Sequence, residues 1–136
     1  MSRSLGTVLP AELLARLSQR ELERRLGIAL PFVTVDHAAR PHVMLLSYVE
    51  IRAYSPSTLG LVIQARSTTA RNLAARRAGT LLIVEPDAVI YVKTRALDGP
   101  LDVAGDERGL AYFLLEVDEV LEDVPAEWEG GVRITS

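Results

Sequence analysis

The feature that most restricts the fold is the rhythm of the middle of the chain. Short apolar, β-branched runs alternate with turn residues, and a helical pattern interrupts them once. The runs are Leu30 to Val35, His42 to Ile51 and Leu59 to Gln64. They are separated by Asp36 to Pro41 and by Tyr54-Ser55-Pro56-Ser57, which read as turns. From Ser67 to Arg77 the period changes: Ala70, Leu73, Ala74 and Ala78 fall on or near one helical face, and Gly79 stands where a C-cap is expected. Two more strands follow, Thr80 to Val84 and Val89 to Lys93, joined by Glu85-Pro86-Asp87. A last one runs from about Leu110 to Leu121, with Phe113, Leu115 and Val117 alternating along it. Helices do not alternate with strands, which argues against a doubly wound α/β fold. The pattern predicts a mainly β chain, a closed six-stranded β-barrel with helical decoration, with a sandwich as the alternative.

Helical signal precedes the strands. Leu13, Leu14 and Leu17, then Leu22 and Leu26, carry apolar spacing. Ser18-Gln19-Arg20-Glu21 has the form of a capping box. Two short helices are therefore expected within 9–27, with a break near Ser18 and a stop at Gly27. With 136 residues, 49% of them apolar, the chain reads as one domain, 1–136. Its barrel spans about 29–123, and 124–136 form an irregular tail in which Trp128 is expected to dock by packing. No cysteine is present, which rules out disulfides, thiolate catalysis and cysteine-held metals. Two histidines, His37 and His42, leave little for a histidine metal site. No apolar run approaches the ~18 residues of a membrane span, and no signal core is seen at the N-terminus. A cytoplasmic protein without membrane association is expected.

Charge is unevenly distributed. Between Ile51 and Val84 stand five arginines (Arg52, Arg66, Arg71, Arg76 and Arg77) and no acid. Between Asp98 and Glu129 there are eleven acids and one base, Arg108. The arginine-rich middle suits an anion, or else the two segments neutralise each other across the fold or a dimer. The Arg76-Arg77 patch is short, aromatic residues are few and the net charge is −3, so nucleic acid is not the expected partner. The acids Glu116, Asp118, Glu119, Glu122 and Asp123 lack a calcium-loop spacing and read as a solvated strand face.

Chemistry concentrates at Arg66-Ser67-Thr68-Thr69-Ala70-Arg71-Asn72-Leu73, a strand-to-helix junction with Ser67 as N-cap. A helix start leaves free N–H groups and a partial positive charge. Three hydroxyls, Arg66 and Arg71 add donors there, so the segment suits a phosphate. An ordinary capped helix with exposed arginines has the same residues.

The set Leu30-Pro31-Phe32-Val33-Thr34-Val35-Asp36, Arg40-Pro41-His42-Val43, Ser67-Thr68-Thr69-Ala70-Arg71-Asn72-Leu73, Thr80 to Val84 and Val89-Ile90-Tyr91-Val92-Lys93 resembles, in order and spacing, the pyridoxamine-phosphate-oxidase-like, FMN-binding split-barrel family. The resemblance covers roughly residues 9 to 123. It implies a six-stranded split barrel that forms a homodimer, with FMN between the subunits and an oxidoreductase activity on an unknown substrate. It also implies that His42 and Ser47, with Ser67, Thr68 and Thr69, hold the cofactor phosphate. Val62, Ile63 and Gln64 would then lie near the ring or ribityl chain, with Arg66 and Arg71 adding charge. Better-known oxidases of the family are basic where this chain has His42, Ser47, Thr68 and Thr69, and the elements that grip pyridoxal substrates are not recognisable. The alternatives are a split barrel for another cofactor, a deazaflavin or haem, or a cofactor-free dimer. Tyr48 and Tyr91 fit either a ring-binding cleft or the barrel wall. Glu50, after a strongly apolar run, is expected to face solvent or pair with an arginine such as Arg52.

Overall fold

The computed structural model describes residues 1–125. Trp128 and most of the tail expected at 124–136 lie outside the described residues. Eight antiparallel strands form one sheet: β1 (Ser2–Gly6), β2 (Leu30–Val35), β3 (Pro41–Leu46), β4 (Ile51–Ser55), β5 (Thr58–Gln64), β6 (Ala78–Val84), β7 (Val89–Asp102) and β8 (Leu110–Asp123). Their order is β3-β2-β6-β7-β8-β5-β4, and β1 pairs with the end of β8. Among the described residues two helices accompany them, α1 (Ala11–Arg16) and α2 (Thr68–Arg76). The mainly β architecture is as expected, with eight strands in place of six.

The back wall is β7 against β8, fourteen residues each. Along β8, Ala111, Phe113, Leu115 and Val117 are buried, the alternation legible in the sequence. Asp118 is skipped where Lys93 pairs with Glu119 and Thr94 with Val117, and after this bulge Val120 faces inward. Gly99, at φ 103, sits where a Cβ would meet the main chain of Tyr112 and Phe113. The interior is filled by Leu30 and Phe32 of β2, Leu59, Leu61 and Ile63 of β5, Leu81 and Ile83 of β6, and Phe113 and Leu115 of β8. Each contributes roughly 1.5–3 kcal/mol by leaving water. Leu13 and Leu17 join this core from the N-terminal segment, and Ala70 and Leu73 from α2.

Several expectations are corrected. The apolar run from His42 to Ile51 is not one strand. It breaks after Leu46, where Glu50 closes a turn by donating its N–H to the Ser47 carbonyl (3.1 Å) and accepting the Ser47 N–H at Oε1 (2.8 Å). The second N-terminal helix is only a 3-10 turn, Leu22–Arg24. The capping box at Ser18 does not form: Ser18 Oγ donates to the Ala15 carbonyl (2.7 Å), serving the end of α1. Gly79 does not cap α2. Arg77 takes the left-handed position (φ 60), while Gly79 lies in β6, where any Cβ would run into the Phe32 ring. Finally β1, whose Ser-rich sequence lacks strand signal, is held by pairing with β8.

Candidate functional site

The barrel is open on one side. β3 and β4 end the strand order, and among the described residues each pairs with one neighbour only. They diverge from the Ser47–Glu50 turn. Ile51 of β4 pairs with Leu61 of β5, and one step further the Val62 N–H donates to the Glu50 carbonyl (2.8 Å). Beyond that point Ile63 and Gln64 have no β4 partner, so this edge of β5 faces the opening. The split therefore has its apex at Ser47, Glu50 and Val62. One arm is β3, running back to His42. The other is β5, running on to Gln64 and the start of α2.

Helix α2 spans the far end. Ser67, extended at φ −68 and ψ 153, accepts the Ala70 N–H at Oγ (3.1 Å), and the first intrahelical bond runs from the Arg71 N–H to the Ser67 carbonyl (3.2 Å). The N–H groups of Thr68 and Thr69 precede that bond, as in any helix start. The Asn72 amide donates to the buried Thr34 hydroxyl (3.0 Å), pinning α2 to β2. Thr34 and His42 are cross-strand partners, so the half-buried His42 side chain shares the α2 side of the sheet.

The expected site residues are distributed along the apex and the two arms of the split and are not on one wall: Thr68 and Arg71 share one cavity, and Val62 lines another. Ser47 is at its apex. Val62 and Gln64 project to the outer side, whereas the Ile63 side chain is in the core, which leaves only its main chain for a ligand. Ser67 and Thr68 are half-buried at the helix start and Arg66 is exposed. Arg71 folds back over the first turn, donating to the Arg66 carbonyl and to Thr68 Oγ1 (3.2 Å each). Thr69 is fully enclosed, and its hydroxyl has no partner among the described residues. A cavity of about 350 Å³ lies between α2 and the β2–β3 turn, lined by Thr68, Arg71, Asn72, Arg76, Asp36 and His37 among others. Asp36 is already engaged there: the N–H groups of Arg40 and Ala38 hold its carboxyl below the usual range, against some desolvation.

Among the described residues the charge asymmetry is not resolved by pairing between the two segments. Among the described residues the β8 acids Glu116 and Asp118 pair with Arg95 (2.6 and 3.6 Å), and Glu122 with Arg3 (2.8 Å). Arg66, Arg71 and Arg76 make no ion pair among the described residues. Arg77 is spent on the carbonyls of Gly99 and Ala96 (2.7 and 3.3 Å), and Arg52 stacks on the Tyr54 ring rather than meeting Glu50. The Tyr112 hydroxyl is pushed up to about 12, by burial first and by the neighbouring Tyr54 hydroxyl second. Of the two tyrosines considered for the cleft, Tyr91 donates instead to Asp123 Oδ2 (3.3 Å) and Tyr48 is buried.

Two residues at the apex carry no motif that would mark them. Glu50 ties Ser47 to Val62. Gln19, in the left-handed region at φ 63, reaches over with its amide Nε2 to the carbonyls of Tyr48 (3.1 Å), Val49 (3.3 Å) and Ile51 (3.0 Å). In the sequence, Glu50 is hidden at the end of an apolar stretch, and Gln19 resembles the interior of a capping box.

No family model matches the sequence, and no curated protein is significantly similar to it. Solved structures are similar in fold. A candidate pyridoxamine 5'-phosphate oxidase from Lactobacillus delbrueckii superposes with a TM-score of 0.65 at 17% identity, over 87% of this chain and 98% of that one. An FMN-binding protein from Syntrophomonas wolfei gives 0.61 at 12% identity, over 85% and 90%. An F420 reductase gives 0.50 at 17% identity, over 75% and 92%. At such identities the likeness is one of architecture, and it covers nearly the whole of each of those chains. By these superpositions this chain has the fold of the pyridoxamine 5'-phosphate oxidase-like, FMN-binding split barrel.

Proposed function

We propose that this chain binds FMN in the split of the barrel, at the interface of a homodimer, and acts as a flavin-dependent oxidoreductase. The observation that carries the reading is that three arginines without an acidic partner among the described residues (Arg66, Arg71 and Arg76) cluster at the start and along α2. The residues present fit a phosphate. The free N–H groups of the first turn, the hydroxyls of Ser67 and Thr68 and the folded-back Arg71 guanidinium are all donors. The Thr69 hydroxyl, without a partner among the described residues, costs about 1–3 kcal/mol where it stands and adds a polar group to the same turn. His42 and Ser47 mark the two ends of the β3 arm, and the open edge of β5 at Ile63 and Gln64 offers main-chain groups to a flat ring. A bound flavin supplies the electron or hydride transfer itself. The chain's part is to anchor, orient and shield.

A second copy is supported by the outer face of β2 and β3, where Val35, Val43 and Leu45 are 37%, 56% and 65% exposed. Contiguous apolar surface of this kind is normally covered. Light scattering should then give about twice the 14.9 kDa chain mass; a monomer at micromolar concentration overturns the shared cleft.

The deciding experiment is the visible absorbance of the purified protein before and after incubation with FMN and removal of the excess. A retained flavin spectrum supports the reading, and a colourless protein overturns it. Arg71→Ala should weaken FMN binding about tenfold, the size of one lost charge-assisted bond. A deazaflavin is the second reading, favoured by the similarity to an F420 reductase. It predicts retention of the deazaflavin chromophore in the same trial.

A further inference from the structure

The N-terminal segment builds a second polar–apolar pocket against Tyr48 of the Ser47–Glu50 turn. Arg25 lies with its guanidinium carbon 5.4 Å from the centre of the Tyr48 ring. Stacking fixes the plane of the guanidinium and leaves its N–H fork unused. Among the described residues Arg25 has no carboxylate partner. Tyr48 is only 5% exposed, but its hydroxyl is not enclosed and makes no hydrogen bond among the described residues, so it is open to a ligand. Both residues line a cavity of about 150 Å³ whose remaining wall includes Ile28, Leu30, Ile83 and Val84 and the ion-paired Arg16 and Glu85. Ile28 and Val84 are 48% and 43% exposed at its mouth, so their apolar surface is uncovered. Arg16 and Arg25 also line an adjoining cavity of about 520 Å³ with Arg20 on its rim. The nearby acids are largely accounted for: Glu85 is bridged by Arg16, and Glu21 pairs with Arg24 (3.6 Å). Glu12 faces the larger cavity only.

We propose that this pocket binds a small organic carboxylate with a compact apolar body. The carboxylate meets the Arg25 fork, the Tyr48 hydroxyl donates to the same group, and the body covers Ile28, Leu30 and Val84. A cavity of this order accommodates a benzene-sized body, so benzoate is the probe. A neutral ligand of the same shape leaves the guanidinium without its counter-charge, and the preference for the anion follows. Tyr48 belongs to the Ser47–Glu50 turn at the apex of the split, whereas Arg25 is not among the residues placed there, so the carboxylate site is separated from FMN binding through Arg25.

The test is calorimetric titration of the full chain with benzoate and with benzamide. Saturable benzoate binding near the millimolar range, with benzamide about tenfold weaker, is the expected result. Arg25→Gln should weaken benzoate about tenfold or more while FMN uptake is unchanged, and Tyr48→Phe should weaken it several-fold. Tyr48→Phe keeps the ring under Arg25, so it decides the matter if Arg25→Gln does not fold. Absence of saturable binding, equal binding of benzamide, or a folded Arg25→Gln or Tyr48→Phe chain that binds benzoate like the parent overturns the proposal. Loss of FMN uptake in folded Arg25→Gln overturns the independence of the two sites.

Discussion

Ser18 and Ser67 stand in similar local sequences, and the structure uses them in opposite ways. Ser67 follows a strand. Its backbone is extended, its hydroxyl is unclaimed, and it accepts the Ala70 N–H to start α2. Ser18 follows the end of α1, where orphan carbonyls wait for a donor, and its hydroxyl goes to Ala15 instead. The next residue, Gln19, then turns into the left-handed region and sends its amide to three carbonyls of the β3–β4 turn. A capping box is a competition for one hydroxyl, and what precedes the serine decides it.

Substitutions on both sides of this contrast test it. The largest effects should be the same at the two ends. Leu17 and Leu73 are each fully buried, so Leu17→Ala and Leu73→Ala should each cost about 2–5 kcal/mol in denaturant unfolding. A much smaller loss for Leu17 would show that the N-terminal segment is peripheral to the core. Next comes Gln19→Ala, which strips a shared donor from carbonyls of Tyr48, Val49 and Ile51 and should cost about 1–3 kcal/mol. Gln19→Gly should be milder, since glycine tolerates the positive φ. Equal losses would show that backbone strain at this residue is negligible.

The serines themselves separate further. Ser67→Ala should cost about 1 kcal/mol, a lost N-cap, whereas Ser18→Ala, at the surface, should stay within about 0.5 kcal/mol. Equal effects would mean that the two hydroxyls do equivalent work. The smallest effect belongs to the turn beside α2. The Asp36 carboxyl is held below its ordinary 3.8 in the folded state, by the Arg40 N–H before all else. Its contribution is complete above that value and is lost as pH falls through the lowered folded value. Thermal melts of Asp36→Asn and the parent should therefore differ at pH 6 and converge as pH falls below the lowered folded value; a gap that persists in acid assigns the effect to the turn's shape.

The strands facing the core were legible because their burial repeats every second residue. Phe113, Leu115 and Val117 need no partner strand to declare which face is inside. Helix α2 was legible because its cap and its apolar face agree. The break at Ser47–Glu50 was not, since an apolar run reads as continuous when a turn inside it is held by contacts from elsewhere. Nor was β1, whose residues 2–6 acquire strand conformation only by pairing with the end of β8. At the candidate site, the helix start with Ser67, Thr68 and Arg71 could be read directly. The roles of Glu50 and Gln19 could not, because each acts on residues distant in sequence or hidden within a turn.

Period and composition alone specify a mainly β chain with one inserted, capped helix and an arginine-rich segment poor in acids. Those properties are set by neighbours within a few residues. Tertiary packing settles the rest: where the barrel opens, that β3 and β4 part at Glu50, and which arginines are left without partners among the described residues. Such outcomes depend on which donor reaches which acceptor across the fold, and a buried carbonyl or guanidinium takes whichever partner the packing brings within about 3 Å.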